Sequence, residues 1–247
     1  KILRFPLAKV KRVVTHNADD LVTLRNSRII GEDVLGVVVN GSGVDLSQFT
    51  FSGPSLRLMT FIMIARLVKD KGVIEFIEAS RLLFTENQGC RFVLVGAHDN
   101  VNPSQIDDEL IEQFKRDGPV EFLDYVGDIK SLLAEATCFV LPSYREGLPK
   151  SGLEALASGL PIITTDVPGC RELVSEGSAI TNGFLVSPRS VGDLYAKMST
   201  FTKLAPEEIS LMGEASRAFA ENKFEVMKIN ENLAQVLTEG ALNDQIT

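Results

Sequence analysis

Cysteine and histidine are scarce in this chain of 247 residues: the cysteines are Cys90, Cys138 and Cys170, the histidines His16 and His98. An odd set of widely spaced cysteines argues against a disulfide framework, and with so few histidines it excludes a Cys/His zinc pattern, so no metal site is expected. Such cysteine usage fits a reducing, cytoplasmic compartment. Cationic charge is in deficit: 25 Lys and Arg stand against 33 Asp and Glu, for a formal net charge of −8. A nucleic-acid binder must neutralise a row of phosphates, so no nucleic-acid partner is expected. Long apolar runs are missing too. The longest, around Leu58 to Ala65, falls far short of the roughly 20 residues that span a bilayer. The chain opens at Lys1 in KILRFPLAKV, without an initiator Met or a signal-peptide layout, and on that ground a fragment of a longer protein is expected.

What is present is an ordinary globular composition, 45% apolar and 23% charged, which excludes disorder and a fibrous repeat. The candidate strands are RVVT (12–15), GVVVN (36–40), LMTFIMI (58–64), RFVLVG (91–96), VEFL (120–123), TCFVL (137–141) and PIITT (161–165). Most are apolar on both faces, as strands of a parallel sheet covered by helices on both sides must be. Between them, KGVIEFIEASRLL (71–83) places Val73, Ile74, Ile77 and Leu82 near a helical period. DIKSLLAEA (128–136) starts at the N-cap candidate Asp128, and Asn17 precedes ADDLVTL as another. LPKSGLEALASG (148–159) has Pro149 in its first turn and Gly159 at its end. Strand followed by helix, repeated, predicts an α/β fold with a doubly wound, Rossmann-like parallel sheet. The stretch 37–55 gathers Gly41, Gly43, Gly53, Pro54 and several serines, a linker's composition. Residues 1–50 are therefore expected to be the end of an N-terminal domain plus linker. Residues 51–247 are expected to be a complete domain of about five strands, closing in three helices after Pro188.

Ligands of open α/β sheets collect at the carboxyl ends of the strands, which directs attention to three loops. In ARLVKDKG (65–72), Arg66 and Lys71 are placed to grip a pyrophosphate, one with a planar fork and one as a point charge. By spacing alone they read equally as two solvated cations. In SYREGLPKSGLEALASGLP (143–161), Glu146 and Glu154 are expected to face one crevice, with Gly147, Leu148, Pro149 and Lys150 leading into a helix whose free N–H groups suit an anion. Carboxylates accept from sugar and ribose hydroxyls while a helix start takes phosphate, and a nucleotide sugar carries both groups. The plain alternative is a capping Glu and an ordinary helix-face Glu. The third loop, TTDVPGCREL (164–173), places Pro168 and Gly169 at a further helix start, which turn chemistry explains.

R-L-x-x-x-K-G, E-G-L-P-K-S-G-L-E-A-L-A-S-G-L-P and T-T-D-V-P-G-C-R-E, in this order at strand ends, resemble glycosyltransferase family 4. The loops LVGAHDNVNP (94–103) and NGSGVD (40–45) are similar to that family's as well. These are retaining enzymes of two-domain GT-B fold, and the subgroup building bacterial capsule, O-antigen and lipid-linked oligosaccharides is the one matched. The resemblance implies transfer of a sugar, with retention and without a metal, from a nucleotide-sugar donor, UDP-linked rather than GDP-linked, to a saccharide or lipid-linked acceptor. No cofactor is implied. It implies that Arg66 and Lys71 hold the donor diphosphate and that Glu146, the catalytic candidate, contacts the transferred sugar. Glu154 would accept from the ribose, Gly147, Leu148 and Lys150 would approach sugar and phosphate, and Tyr125 and Val126 would meet the base. Asp124 stands where the family usually has Gly. The chain would be the C-terminal, donor-binding half of the enzyme.

Three rivals compete. Glu146 and Glu154 as acid and nucleophile would make a glycoside hydrolase, which needs no cationic grip nearby. A nicotinamide dehydrogenase is disfavoured because G-S-G-V-D-L (41–46) lacks the third Gly of its fingerprint. A nucleotide-sugar-binding module without activity of its own is the third, since neither His16 nor His98 matches the family's catalytic histidine. Lys1, Arg4, Lys9, Lys11 and Arg12 form a basic start, read as a solvated or packed helix or as peripheral contact with anionic lipid at the inner membrane face.

Overall fold

The computed structural model describes residues 10–99, 102–175 and 180–243, the side chains of 239–243 excepted. Residues 1–9 of the expected basic helix, 1–12, and positions 100–101 of the LVGAHDNVNP loop lie outside them. Among the described residues the chain forms two parallel sheets. The larger has six strands: β3 (Met59–Ile64), β4 (Cys90–Val95), β5 (Val120–Leu123), β6 (Cys138–Leu141), β7 (Ile162–Thr165) and β8 (Gly183–Val186), in the order β5-β4-β3-β6-β7-β8. The smaller pairs β1 (Arg12–Thr15) with β2 (Leu35–Val38). The helices are α1 (Ala18–Asn26), α2 (Val73–Glu86), α3 (Asp108–Asp117), α4 (Lys130–Glu135), α5 (Lys150–Ser158), α6 (Val191–Phe201), α7 (Pro206–Lys223) and α8 (Val226–Asn243).

Parallel neighbours cannot be joined by a hairpin, so each pair requires a crossover, and α2, α3, α4 and α5 supply four of them. The chain builds outward from β3 through β4 to β5, then returns to lay β6 against the free side of β3 and continues to β7 and β8. The direction reverses between β3 and β6, and that switch point opens a crevice at the carboxyl ends of the strands. Helix α2 packs on α6, and α5 on α7. Phe61 of β3 stacks on Phe92 of β4 with centroids 5.8 Å apart, and Phe201 of α6 meets Phe61 edge-on. The alternating apolar strands and the three closing helices are as expected.

Several local expectations are corrected. A sixth strand, β8, escaped notice because GFLV is short and closes one edge of the sheet. Leu82 does not join the buried stripe of α2; it is exposed, and Phe76, Ala79 and Leu83 carry that face instead. Asp128 is not the cap residue of α4. It stands one position earlier, its carboxylate accepting the Lys130 N–H at 3.1 Å. Asn17 does cap α1, accepting the Asp20 N–H. The Gly-rich stretch 37–55 is stitched down along its length. Val44 N–H donates to Phe224 O and Val44 O accepts from Val226 N–H, while Gly53 and Ser55 donate to Ser158 O and Ala136 O. Arg12, read both as the last cation of the basic start and as the first residue of the strand RVVT, lies in β1 and donates to Val236 O of α8.

Candidate functional site

A cleft of about 870 Å³ lies at the switch point. Its floor is the carboxyl ends of β3 and β4, where Ile64, Ala65 and Arg66 meet Val95, Gly96 and Ala97. A side chain at position 96 would place its Cβ 1.8 Å from Ala65 O, so only glycine permits these two loops to lie so close. One wall is the loop from Tyr125 to Lys130; another is the stitched segment Ser42–Phe49 with Val226; the last is the start of α5, with Lys150 and Glu154.

The amino end of α5 follows from local sequence. Pro149 occupies the cap position and Gly159 ends the helix in the left-handed region, φ 82°. Ser151 anchors the first turn to the sheet, its Oγ donating to Ile64 O at 2.9 Å. Gly152 and Leu153 N–H both close on Pro149 O, which leaves the Lys150 and Ser151 N–H groups of that turn without a carbonyl partner in the helix, at the positive end of its dipole. Lys150 Nζ adds a cation 3.7 Å from Glu154 Oε1. Burial raises the Glu154 carboxyl above its ordinary range, and Lys150 opposes this.

Lys71 and Glu146 form an ion pair. Lys71 ends a 3-10 turn, Lys69–Lys71, that follows β3. Glu146 sits in the loop after β6, which is fixed at both ends. Ser143 Oγ and Tyr144 N–H donate to Asp70 O at 3.0 and 2.8 Å, and Glu146 N–H donates to Pro168 O at 3.1 Å. Gly169, at φ 83°, lets the β7 loop lie on Glu146; an added Cβ would come within 2.2 Å of its carbonyl oxygen. Beneath the pair, burial pushes the Cys170 thiol up to about 11. Tyr144 donates to Glu75 Oε1 at 2.6 Å, and burial with that carboxylate pushes its phenol up to about 12.

The structure thus divides the anticipated residues. Arg66, Tyr125, Val126, Lys150 and Glu154 line one cleft, whereas Lys71 and Glu146 pair with each other and are not among its lining residues. Gly147 and Leu148 turn toward the first segment, where Gly147 O accepts from Asn17 and Leu148 packs against Gly41. Of the two carboxylates expected to face one crevice, Glu154 lines the cleft and Glu146 is paired with Lys71. Arg66 is paired with Asp99. His98 Nδ1 lies 3.1 Å from Asp108, and His16 borders a separate crevice of about 330 Å³ with Asp20 and Arg145. Sequence reasoning missed Asp45, Gln48, Phe49 and Lys130 on the cleft wall. Only Asp45 carried a signal, within NGSGVD. Its carboxylate accepts from Ser47 and Gln48, which holds its pKa below the usual value.

Among the described residues no three His, Cys, Asp or Glu side chains gather as a metal site needs, and no helix is long and apolar enough to cross a membrane.

Residues 59–203 match the family described as Glycosyl transferases group 1. The chain belongs to that family. Over 138 residues, 56% of this chain and 34% of the relative, this family member is 40% identical to the N,N'-diacetylbacillosaminyl-diphospho-undecaprenol alpha-1,3-N-acetylgalactosaminyltransferase of Campylobacter jejuni. It is 31% identical to the capsular polysaccharide biosynthesis glycosyltransferase CapM of Staphylococcus aureus, over 69% of this chain and 43% of that one. The chain therefore spans a third to less than half of the length of these two curated relatives. The crystal structure of Anabaena HepE in complex with UDP and glucose superposes with a TM-score of 0.79 at 20% identity, covering 96% of this chain and 66% of that one. At that identity the likeness is one of fold, that of the GT-B glycosyltransferases.

Proposed function

We propose that this group 1 chain is the donor-binding half of an enzyme that transfers a sugar from a nucleotide sugar to a saccharide acceptor, with retention, in the manner of glycosyltransferase family 4. The observation that carries the reading is the cleft at the switch point. Arg66, Lys130 and Lys150 line it beside the amino end of α5, and Asp45, Asp128 and Glu154 line it too, so cations for a phosphate and acceptors for hydroxyls share one cleft. A nucleotide sugar supplies both partners, an anionic diphosphate and ribose hydroxyls. Arg66 and Lys71 take the diphosphate, in competition with Asp99 and Glu146 for the same cations. Glu146 meets the hydroxyls of the transferred sugar, and Gly147, Leu148 and Lys150 approach sugar and phosphate. Glu154 accepts from the ribose, and the backbone at Tyr125 and Val126 meets the base.

When the bond from the anomeric carbon to the diphosphate oxygen breaks, negative charge grows on the leaving diphosphate and positive character on the sugar. Fixed cations and helix N–H groups stabilise the first. Glu146 faces the second. With Arg66, Lys71 and α5 supplying that stabilisation, and no Asp-x-Asp sequence near a strand end, we assign a metal-independent mechanism. UDP is the assigned nucleotide, in keeping with the UDP held by HepE. The Campylobacter relative is named for an undecaprenol diphosphate acceptor. We carry that acceptor class over, and with it peripheral contact at the inner membrane face. Residues 1–50 then belong to the acceptor-side domain and linker, and 51–247 to the donor domain.

A thermal-shift screen of nucleotide sugars tests the reading, because a ligand at 100 times its Kd stabilises by about 2.7 kcal/mol. UDP-sugars are expected to raise the melting temperature, with little transfer by residues 1–247 alone. No shift with any nucleotide, or hydrolysis of a simple glycoside without one, would contradict it.

A further inference from the structure

The loop that carries Glu146 is gripped from the opposite end of the sequence, at the start of α1. Asn17 is 1% exposed and bonds in two directions. Its Oδ1 accepts the Asp20 N–H at 2.7 Å, which is the N-cap of α1. Its Nδ2 donates to Gly147 O at 2.9 Å, and also to Asp20 Oδ2 at 3.1 Å. Arg145, on the other side of Glu146, donates to Asp20 Oδ1. One residue earlier in α1's first turn, Asp19 pairs with Arg171 at 2.7 Å, and Arg171 holds Asp166 in the loop after β7. Both neighbours of Glu146 are thus tied to the start of α1.

An N-cap needs only an oxygen acceptor, and Ser, Thr or Asp would serve. The carboxamide donor is the part the cap does not use. In a side chain this buried, an N–H without a partner is costly, so Gly147 O and Asn17 Nδ2 fix one another.

We propose that Asn17 is a positioning residue. By holding Gly147 O it sets the 145–147 loop, and so the Glu146 carboxylate, against the sugar of the donor without touching the donor itself. The proposal rests on the reading of Glu146 as the group that meets the transferred sugar. It separates two affinities. Asn17 bonds Gly147 and Asp20 but none of Arg66, Lys71, Lys150 or Glu154, so most of the nucleotide's hold is expected to survive its loss, whereas the added affinity contributed by the sugar depends on the loop.

Two variants isolate the donor. Asn17→Ser keeps a cap oxygen but cannot reach Gly147; Asn17→Asp keeps both cap and shape but carries no N–H. Calorimetric titration of the unaltered chain and both variants would use UDP alone, then UDP-glucose, UDP-galactose, UDP-N-acetylglucosamine and UDP-N-acetylgalactosamine. Affinity for UDP is expected to stay within about twofold, while the advantage of the bound UDP-sugar over UDP falls about fivefold, the scale of one hydrogen bond. Amide exchange at Gly147 and Leu148 should speed up in parallel. Arg145→Ala opens the loop from its exposed side without touching the cap, and should lower the same advantage by less; it keeps the test decisive if a substitution at 17 fails to fold. An unchanged sugar advantage in all variants overturns the proposal, and so does an equal loss for UDP and UDP-sugar, which would mark a merely structural role. An unaltered chain that gains nothing from any sugar also overturns it, whereas failure to bind UDP at all removes the donor reading itself.

Discussion

The two sheets of this group 1 glycosyltransferase chain are held by different forces. In the six-stranded sheet, Phe61, Phe92, Phe139, Ile62 and Leu94 are almost wholly buried, and the strands are covered on both faces. In the two-stranded sheet, Val14, Leu35 and Val38 are exposed, as is Val22 of α1. Polar contacts tie the small unit to the large one: Asn17 to Gly147, Asp20 to Arg145, Asp19 to Arg171, and Arg12 to Val236. Apolar burial is non-directional and supplies stability, whereas a few hydrogen bonds supply little net stability but fix geometry. The large sheet therefore makes a scaffold, and the small unit sets the position of one loop on it.

The largest expected contrast lies in the core. Phe61→Ala removes a buried ring stacked on Phe92 and should lower unfolding free energy by about 3–5 kcal/mol in a denaturant titration. A loss no greater than that of an exposed residue in the small sheet would break the comparison at once.

Next comes the cationic grip. Arg66→Ala and Lys71→Ala should each lower donor affinity by about 1.5–3 kcal/mol, the scale of a charged hydrogen bond, as read by calorimetry. Unchanged nucleotide affinity in both would remove the grip from the account.

A subtler effect concerns Glu154, whose carboxyl burial holds above its ordinary pKa while Lys150 pulls the other way. The folded chain then binds this proton more tightly than the unfolded chain. Its contribution to stability is full below the unfolded pKa and fades as pH rises through the folded one. Glu154→Gln lacks that decline, so its stability relative to the unaltered chain should improve as pH rises above the ordinary carboxyl range, about 4. A difference that is flat, or that narrows as pH rises, would show that Lys150 outweighs burial.

The smallest effect is expected at Leu35. Replaced by Ala on the exposed face of β2, it should change stability by no more than about 0.5 kcal/mol. A loss of several kcal/mol would mean that this sheet is covered in solution.

Much of this was legible in the sequence because it depends on near neighbours. Continuous apolar runs mark β3, β4, β6 and β7, and Pro149 and Gly159 bracket α5. What stayed hidden depends on distant partners. β8 is four residues long, and its entry is fixed by Asn182, whose Nδ2 donates to Leu173 O at 2.9 Å. The spacing of Glu146 and Glu154 suggested a shared crevice, but it could not show that Glu146 pairs with Lys71 and lies against the Pro168–Gly169 turn, both on other loops. Asn17 was readable as a cap from the residues after it, but its carbonyl partner lies 130 positions away. The wall of the cleft at Ser42–Phe49 depends on the junction of α7 and α8, where Phe224 and Val226 bond Val44.

The central claim is that the switch-point cleft holds a nucleotide-sugar donor, and a crystal structure of the chain with a bound UDP-sugar tests it most directly. The account predicts the diphosphate at Arg66, Lys71 and the amino end of α5, the ribose on Glu154, the base against Tyr125 and Val126, and the sugar toward Glu146. A nucleotide seated instead in the crevice bordered by His16, Asp20 and Arg145, with the switch-point cleft left to solvent, would contradict it.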